Sequence, residues 1–394
     1  MKNPEYRADL DAFLRYLCSY ITQFKNSLYD FCQFRAAIRA QGDRYARCRS
    51  RAFLRLFQPV FNAYQRQLEH TRSYDFADMI NDASRAVQEI PECAANYRYV
   101  LLDEAQDLSP NRSQLIRAIL HKNPSCRFFA VGDDWQSIYR FTGSNLALIH
   151  DFENAFGLHT RRSLIEQTHR FGQPTIKLSS RFIMKNPTQV SKDIRGSRHR
   201  CTPIQIVLSE RKGDDTDALL QILAKITDLH DVQIISRYNH DIRRIKERSG
   251  LRVLGVDSIS WRGQKIPFCS IHKSKGITRD YVVVLNMNAT PTGMPATREN
   301  DPLSDFLLST PDDFMFAEER RLFYVAITRA RKASFLIAER CHPSLFLYEI
   351  SDDLAELYQK LCPRCQIGEL RRKGNISYCT NYRYGCSYIQ RYHC

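Results

Sequence analysis

The sequence predicts an α/β protein with a helical N-terminal region, two sheet-containing units and a small cysteine-rich C-terminal module. Three observations predict this class. Apolar residues recur at helical spacing near the start, short apolar strands alternate with helices in the middle, and cysteines crowd at the end. The 394 residues suffice for two or three domains, and 43% hydrophobic residues can fill their cores, which excludes a wholly disordered chain.

The first region, residues 1–95, is predicted to be helical. Between residues 5 and 70 apolar and aromatic side chains recur every three or four positions, from Phe13 through Tyr20 to Leu28. Seven arginines lie between Arg35 and Arg55. Such a cluster suits either a nucleic-acid groove or a solvated helix face, and both interpretations stay open.

Alternating strands and helices begin after residue 96. A short apolar strand, Tyr99–Leu102, ends in two acids, and a second, Arg127–Val131, ends at Gly132. Because ligands of an open parallel sheet lie at the carboxyl ends of its strands, these acids mark a candidate site. The predicted elements that continue the alternation are a helix at 114–120, strands at 204–208, 232–235, 281–285 and 335–337, and a helix at 216–228. We therefore expect sheet units over 96–160 and 161–345, joined near 150–200, and a linker helix over 346–361.

The formal net charge is +15, and the basic excess is uneven along the chain. Basic patches favour a polyanion, most simply nucleic acid, although a generally basic surface explains the charge equally well. No apolar run approaches the roughly 20 residues that span a bilayer, and the first residues lack the apolar core of a signal peptide. We therefore expect a soluble cytoplasmic protein with no membrane partner.

Five ordered segments carry the chemistry. An apolar strand that delivers adjacent carboxylates, Asp103 and Glu104, suits Mg²⁺ binding and the orientation of water. The second segment follows a strand and combines an amide, Gln136, with the aromatic side chains Tyr139 and Phe141, which suit phosphate sensing and base stacking. The three remaining segments are Gln167–Arg170, Ser270–Gly276 and Glu318–Arg331.

In this order and spacing the segments resemble the motifs of UvrD/Rep-type superfamily 1 DNA helicases, in the compact form of helicase IV. The resemblance covers roughly residues 70–340. It implies an incomplete RecA-like domain 1A over 96–160 with a helical 1B-like region before it, and a RecA-like domain 2A over 161–345. It also implies ATP with Mg²⁺ as cofactor, and single-stranded or partially duplex DNA as partner, in association with the bacterial nucleoid.

The resemblance also implies a role for each matching residue. Asp103 would bind Mg²⁺, Glu104 would activate the attacking water, and Gln136 would sense the γ-phosphate. Arg170 and Arg329 would contact the same phosphate as arginine fingers. Single-stranded DNA would lie along four residues of the chain: Tyr139, Phe141, His272 and Lys275. The alternative for the two arginines is an ordinary surface ion pair.

One motif of the family is missing. A P-loop requires Gly-x-x-x-x-Gly-Lys-Ser/Thr, and none of the 15 glycines precedes a lysine. In relatives this motif lies upstream of the region that matches residues 1–100, so the chain resembles an N-terminally truncated helicase. We expect negligible ATP hydrolysis by the chain alone. In addition, Thr278 stands where the family usually has a ribose-binding Glu. Only about 30 residues separate Ser236–Asn239 from the segment Ser270–Gly276, whereas many relatives carry a large helical insertion between these two motifs.

The last 33 residues hold five of the 13 cysteines. Cys362 and Cys365 form a Cys-x2-Cys pair, and Cys379 and Cys386 form a looser second pair, a pattern that predicts tetrahedral Zn²⁺. Cys394 or His393 could replace one ligand, and unliganded thiols are the alternative. The segment 362–394 resembles the zinc ribbons of type IA topoisomerases, which bind single-stranded DNA.

Three interpretations therefore remain. The chain is the C-terminal part of a helicase, a DNA-binding remnant or adaptor without catalysis, or one half of a split helicase whose P-loop arrives on a separate chain.

Overall fold

The computed structural model describes residues 4–90, 92–196, 204–226, 228–297, 302–350, 363–364, 370–373, 375–379 and 387–391. The chain divides into two compact units. Unit 1 comprises Met1–Arg162 and Glu299–Pro311, and unit 2 comprises Ser163–Arg298 and Asp312–Cys394. The return of residues 299–311 to unit 1 has no signal in the sequence.

The described helices and strands agree with most of the predicted ones. The helices are α1 (Pro4–Ser27), α2 (Phe31–Ala40), α3 (Arg44–Thr71), α4 (Phe76–Glu89), α5 (Glu92–Ala95), α6 (Pro110–Lys122), α7 (Ala147–His150), α8 (Phe152–Phe156), α9 (Gln173–Ile183), α10 (Thr216–Lys225), α11 (Pro302–Asp305), α12 (Ala317–Ile327) and α13 (Leu345–Ile350). The strands are β1 (Tyr99–Leu102), β2 (Arg127–Ala130), β3 (Gln167–Thr168), β4 (Arg195–Gly196), β5 (Gln205–Ser209), β6 (Val232–Ser236), β7 (Leu251–Leu254), β8 (Ser258–Trp261), β9 (Gln264–Ser270), β10 (Arg279–Val284), β11 (Ala330–Glu339), β12 (Leu370–Lys373), β13 (Ile376–Cys379) and β14 (Ile389–Arg391).

The N-terminal helices of unit 1 pack around aromatic side chains. Tyr20 of α1 lies edge-on to Phe53 and Phe57 of α3, with ring centroids 4.7 and 4.8 Å apart. The Tyr20 hydroxyl donates a hydrogen bond to the carbonyl of Leu303 at 3.0 Å. Leu303 and Leu307 join the same apolar cluster, which explains why the segment after residue 301 packs in unit 1.

The sheet of unit 1 is the predicted pair of apolar strands. β1 and β2 are parallel, with Leu102 opposite Ala130. One face of the pair packs through Val100, Leu102 and Phe128 against an apolar cluster contributed by α6, α7 and α8. Both strands therefore end at the same edge, beside the acids that follow them.

Unit 2 is built on a seven-stranded sheet among the described residues, in the order β5-β11-β10-β6-β9-β8-β7. The strands β5, β11, β10, β6 and β9 run parallel, whereas β8 and β7 are antiparallel to their neighbours. The sequence did not indicate β7, β8 and β9, because polar residues interrupt their apolar pattern. Ile259 and Ile266 are nevertheless fully buried in the core.

The C-terminal residues are described only in part. Of the predicted linker helix, α13 covers the residues up to Ile350, and 351–361 lie outside the described residues. β12, β13 and β14 form an antiparallel sheet within the predicted ribbon. Cys362, Cys365, Cys386 and Cys394 lie outside the described residues, so only Cys379 of the predicted ligands is described. None of the helices described is long and apolar enough to cross a bilayer.

Candidate functional site

The predicted acids lie together at the carboxyl ends of β1 and β2. Asp103 and Glu104 follow β1 directly, and both are exposed to solvent. The backbone continues the ladder beyond the strands, because the Val131 N–H donates to the Leu102 carbonyl at 2.8 Å and the Ala105 N–H donates to the Val131 carbonyl at 2.9 Å. The two strand ends are therefore held side by side.

A buried glutamine connects the two strand ends. The Gln106 amide nitrogen donates a hydrogen bond to the Glu104 carboxylate, and its side-chain oxygen accepts the Asp133 N–H at 2.8 Å. Glu104 itself adopts the left-handed backbone conformation, with φ of +50°. Gln106 thus fixes the orientation of the Glu104 carboxylate relative to the second strand. The only signal for Gln106 in the sequence is an amide side chain two residues after Glu104.

Gly132 is explained by this glutamine. A Cβ added at position 132 would lie 2.9 Å from the Gln106 side-chain oxygen and 3.1 Å from the Ala105 Cβ. The two segments therefore approach closely because residue 132 has no side chain.

Gln136 lies in the turn that follows β2. Its side-chain nitrogen donates to the Asp133 carboxylate at 2.6 Å, so the predicted phosphate-sensing amide is joined to the same network. Tyr139 is half-buried, and burial, followed by the charges of Asp107 and Glu104, raises its pKa. The ring centroids of Tyr139 and Phe141 are 6.1 Å apart. The structure thus places the predicted residues of the first two motifs in one region of unit 1.

These residues fit one half of a Mg²⁺-nucleotide site. Exposed carboxylates at the ends of parallel strands suit Mg²⁺, which prefers oxygen ligands. A phosphate cradle needs a glycine-rich turn with its lysine, and these 394 residues contain no Gly-Lys. The metal-binding half therefore fits, and the phosphate-binding half does not.

Four other predicted residues lie in unit 2. Arg170 follows β3, where its N–H donates to the Thr168 hydroxyl at 3.3 Å. Arg329 is almost fully buried at the end of α12, and its Nε donates to the Val325 carbonyl at 3.0 Å. His272 and Lys275 lie in and next to a single 3-10 turn after β9.

A partly buried charge pair lies at the carboxyl end of β6. Arg237 follows β6 and bonds the Glu319 carboxylate of α12 at 2.9 Å through Nε, and its guanidinium lies 4.7 Å from the Tyr238 ring centroid. Burial, followed by the charge of Arg237, lowers the pKa of His272 to about 4. His272 is therefore neutral near pH 7. The sequence alone indicates no role for Arg237 or Glu319.

Three potential metal ligands of a different composition lie together in unit 2. Within the described ranges, the side chains of Glu339, Cys341 and His342 place one ligand atom each within 4.8 Å of one another. Glu339 is also engaged by Arg244 at 2.7 Å. In the tail, Cys379 is buried against Leu370 and Tyr388.

Parts of both units are similar to domains of known helicases. Residues 4–157 match the UvrD/REP helicase N-terminal domain, and residues 251–340 match the UvrD-like helicase C-terminal domain. DNA helicase IV of Escherichia coli is 32% identical over 75% of this chain, and UvrD1 of Mycobacterium tuberculosis is 28% identical over 64%. The chain covers 41% and 34% of these relatives, respectively.

A solved complex of the helicase nonstructural protein 10 of an arterivirus with DNA is 16% identical over 63% of this chain and 41% of that chain, with a TM-score of 0.30. A TM-score this low supports no argument.

Proposed function

The chain carries the N-terminal and C-terminal domains of the UvrD/Rep-type superfamily 1 helicases, and on this premise we propose that it is the C-terminal part of an ATP-dependent 3′–5′ DNA helicase. Its helicase relatives imply the use of ATP and Mg²⁺ and the binding of DNA. The observation that carries the proposal is the network at the ends of β1 and β2, in which Gln106 joins Glu104 to Asp133.

The proposed roles follow the motifs. Asp103 binds Mg²⁺, and Glu104, oriented by Gln106, accepts a proton from water. Gln136 senses the terminal phosphate, and Arg170 and Arg329 act as arginine fingers on that phosphate. The hydrogen bond from Gln136 to Asp133 supports its membership of the site.

The proposed DNA-binding residues combine aromatic, polar and basic side chains. Tyr139 and Phe141 supply stacking surfaces for unpaired bases, since base stacking requires a partly exposed ring. His272 contributes to DNA binding as a neutral side chain, and Lys275 contributes a positive charge.

We propose that the isolated chain hydrolyses ATP negligibly. Backbone amides of a P-loop and its lysine bind the phosphates together, and without them the affinity for a polyanionic nucleotide falls steeply. The alternatives to the C-terminal part of a helicase are a non-catalytic DNA-binding remnant or adaptor, and one half of a split helicase whose P-loop arrives on a separate chain.

We propose the same domain assignment as the motifs imply: a 1B-like region over 1–95, a partial domain 1A over 96–160 and domain 2A over 161–345. For the tail we propose a zinc ribbon over 362–394, and the antiparallel strands β12–β14 with buried Cys379 support it. Less than half an equivalent of Zn²⁺ per purified chain would contradict the ribbon.

Binding of single-stranded DNA tests the proposed function. Fluorescence anisotropy with a labelled oligonucleotide gives the dissociation constant of the chain and of two variants. Phe141→Ala removes a ring that is 47% exposed, and Phe13→Ala is the matched control, since that ring is 41% exposed on α1. One lost stacking contact, about 1–3 kcal/mol, weakens binding by roughly 5- to 150-fold in Phe141→Ala only. Equal effects of the two variants, or no DNA binding at low salt, would contradict the proposal.

A further inference from the structure

Three side chains that can ligate a metal lie together at the end of β11 in unit 2. Glu339 is the last residue of β11, and Cys341 and His342 follow it in a turn. The His342 Nδ1 lies 3.0 Å from the Cys341 Sγ, and the Cys341 Sγ lies 3.9 Å from the Glu339 Oε2. All three ligand atoms lie within 4.8 Å of one another. We call these three residues the Glu-Cys-His group.

The backbone of this turn is held by hydrogen bonds on both sides. The His342 N–H donates to the Glu339 carbonyl at 3.1 Å, and the His342 carbonyl accepts the Ala289 N–H at 2.9 Å. The Glu339 N–H donates to the Asn288 side-chain oxygen at 2.7 Å. Because the main chain of the ligating residues is already ordered, little backbone entropy remains to be lost when the group binds an ion.

The two oxygens of the Glu339 carboxylate have different partners. The Oε1 atom accepts hydrogen bonds from the Arg244 guanidinium at 2.7 Å and from the Gly213 N–H at 2.9 Å. The Oε2 atom is the one next to the Cys341 Sγ. Glu339 is only 3% exposed, whereas Cys341 and His342 are exposed to solvent. The carboxylate is therefore fixed through one oxygen, and an ion can reach the group from the solvent side.

The charges around Glu339 favour a bound cation. The Arg244 guanidinium bonds the Asp215 carboxylate through two N–H groups at 2.8 Å, and it bonds Glu339 at 2.7 Å. Two buried carboxylates thus share one guanidinium, and within the described ranges neither has a second salt-bridge partner. A buried charge is costly unless it is paired, and these three residues carry one negative charge in excess. Zn²⁺ together with a Cys341 thiolate would add one positive charge and balance it.

We propose that the Glu-Cys-His group binds Zn²⁺ through the Glu339 Oε2, the Cys341 Sγ and the His342 Nδ1. Carboxylate, thiolate and imidazole are the ligands of Zn²⁺ in proteins. In a tetrahedral site the sulfur lies about 3.5 Å from a nitrogen or oxygen ligand, between the observed 3.0 and 3.9 Å. The Cys341 thiol proton passes to the solvent on binding, and water fills the fourth position. The site is independent of the proposed helicase activity and of the proposed ribbon over 362–394.

The stability of unit 2 in the presence of Zn²⁺ tests the proposal. The full chain carries Trp135→Phe, so that Trp261 of unit 2 is the remaining tryptophan. Urea unfolding is followed by Trp261 emission with a phosphine reductant, with and without Zn²⁺. At a free Zn²⁺ concentration of about 100 times the dissociation constant, the unfolding midpoint should rise by about 1 M. An unchanged midpoint would overturn the proposal.

Variants of the two exposed ligands locate the site. Cys341→Ser and His342→Ala should each lose most of the Zn²⁺-dependent rise in midpoint. Cys93→Ser and His121→Ala are the matched controls and should keep it, because both residues are exposed in unit 1. Glu339 is left unchanged, since its substitution would also disrupt the buried charge pair. An equal rise in Cys341→Ser and in the unaltered protein would overturn the proposal, because Zn²⁺ would then act through other residues.

Co²⁺ in place of Zn²⁺ reports on the thiolate directly. Cobalt bound to a thiolate gives a charge-transfer absorption band, and any Co²⁺ bound by the tail cysteines contributes equally to the unaltered chain and to Cys341→Ser. The difference between the two spectra should therefore saturate at one Co²⁺ per chain. No difference, or the same loss of absorption in Cys93→Ser, would overturn the proposal. Mg²⁺ prefers oxygen ligands and should leave the Trp261 midpoint unchanged, and a rise equal to that with Zn²⁺ would contradict ligation by Cys341 and His342.

Discussion

Replacement of Gln106 by leucine tests the network at the strand ends. Leucine has nearly the same volume but makes neither of the two hydrogen bonds, to the Glu104 carboxylate and from the Asp133 N–H. Loss of an acceptor for a buried donor costs about 1–3 kcal/mol. The bond to Glu104 adds little, since water replaces it at an exposed carboxylate. We therefore expect unit 1 to lose about 2 kcal/mol of unfolding free energy in Gln106→Leu.

The two tryptophans allow this loss to be measured in one unit at a time. Trp135 lies in unit 1 and Trp261 in unit 2, so a Trp261→Phe background leaves Trp135 as the reporter of unit 1. With a urea m-value of about 2 kcal/mol/M, a loss of about 2 kcal/mol lowers the unfolding midpoint by about 1 M. The reciprocal Trp135→Phe background should show an unchanged midpoint for unit 2.

Gln67→Leu is the matched control for this substitution. Gln67 is exposed on α3, so the same chemical change there should alter the unfolding free energy by less than about 0.5 kcal/mol. If Gln106→Leu also changed the unfolding free energy of unit 1 by less than about 0.5 kcal/mol, the reasoning would be refuted, because Gln106 would then not link the two strand ends.

Three further predictions concern Gly132, His272 and Lys275. Gly132→Ala should destabilise unit 1 by about 1–3 kcal/mol because its Cβ meets Gln106, whereas Gly42→Ala, with no atom within 4 Å, should be nearly neutral in the same urea titration. Folding lowers the pKa of His272 to about 4, so the unfolded state binds a proton at a higher pH than the folded state does. Unit 2 should therefore lose stability as the pH falls from about 6.5 toward 4. A pH-independent midpoint of Trp261 emission over that range would contradict this. Lys275→Gln should reduce the salt slope of DNA binding by about 1, whereas His272→Gln at pH 7 should leave the slope unchanged, since neutral His272 displaces no counterion.

The elements that the sequence predicts correctly are those with local signals. β1 and β2 are short apolar runs bounded by acids or glycine, and both appear where the pattern predicts them. The helical region before residue 70 likewise follows from its periodicity. Hydrophobic spacing depends on neighbouring residues alone, so it is visible in one sequence.

Contacts between distant residues are what the sequence does not predict. Gln106 accepts its hydrogen bond from Asp133, 27 residues away, and Tyr20 bonds Leu303 across 283 positions. The pair of Arg237 and Glu319 is formed by a strand end and a helix whose proximity depends on the sheet order of unit 2. The exposure of Leu101 and Phe129 is also a property of packing, because an apolar strand gives no sign in its sequence of which face is covered.

Hydrolysis of ATP by the purified chain, with saturating single-stranded DNA and Mg²⁺, tests the central claim most directly. We predict DNA binding without turnover above background, because the proposed Mg²⁺-binding acids are present but these 394 residues contain no Gly-Lys turn that would hold the phosphates. DNA-stimulated turnover that Glu104→Gln abolishes would contradict the account, since the chain would then complete its nucleotide site without a Gly-Lys turn.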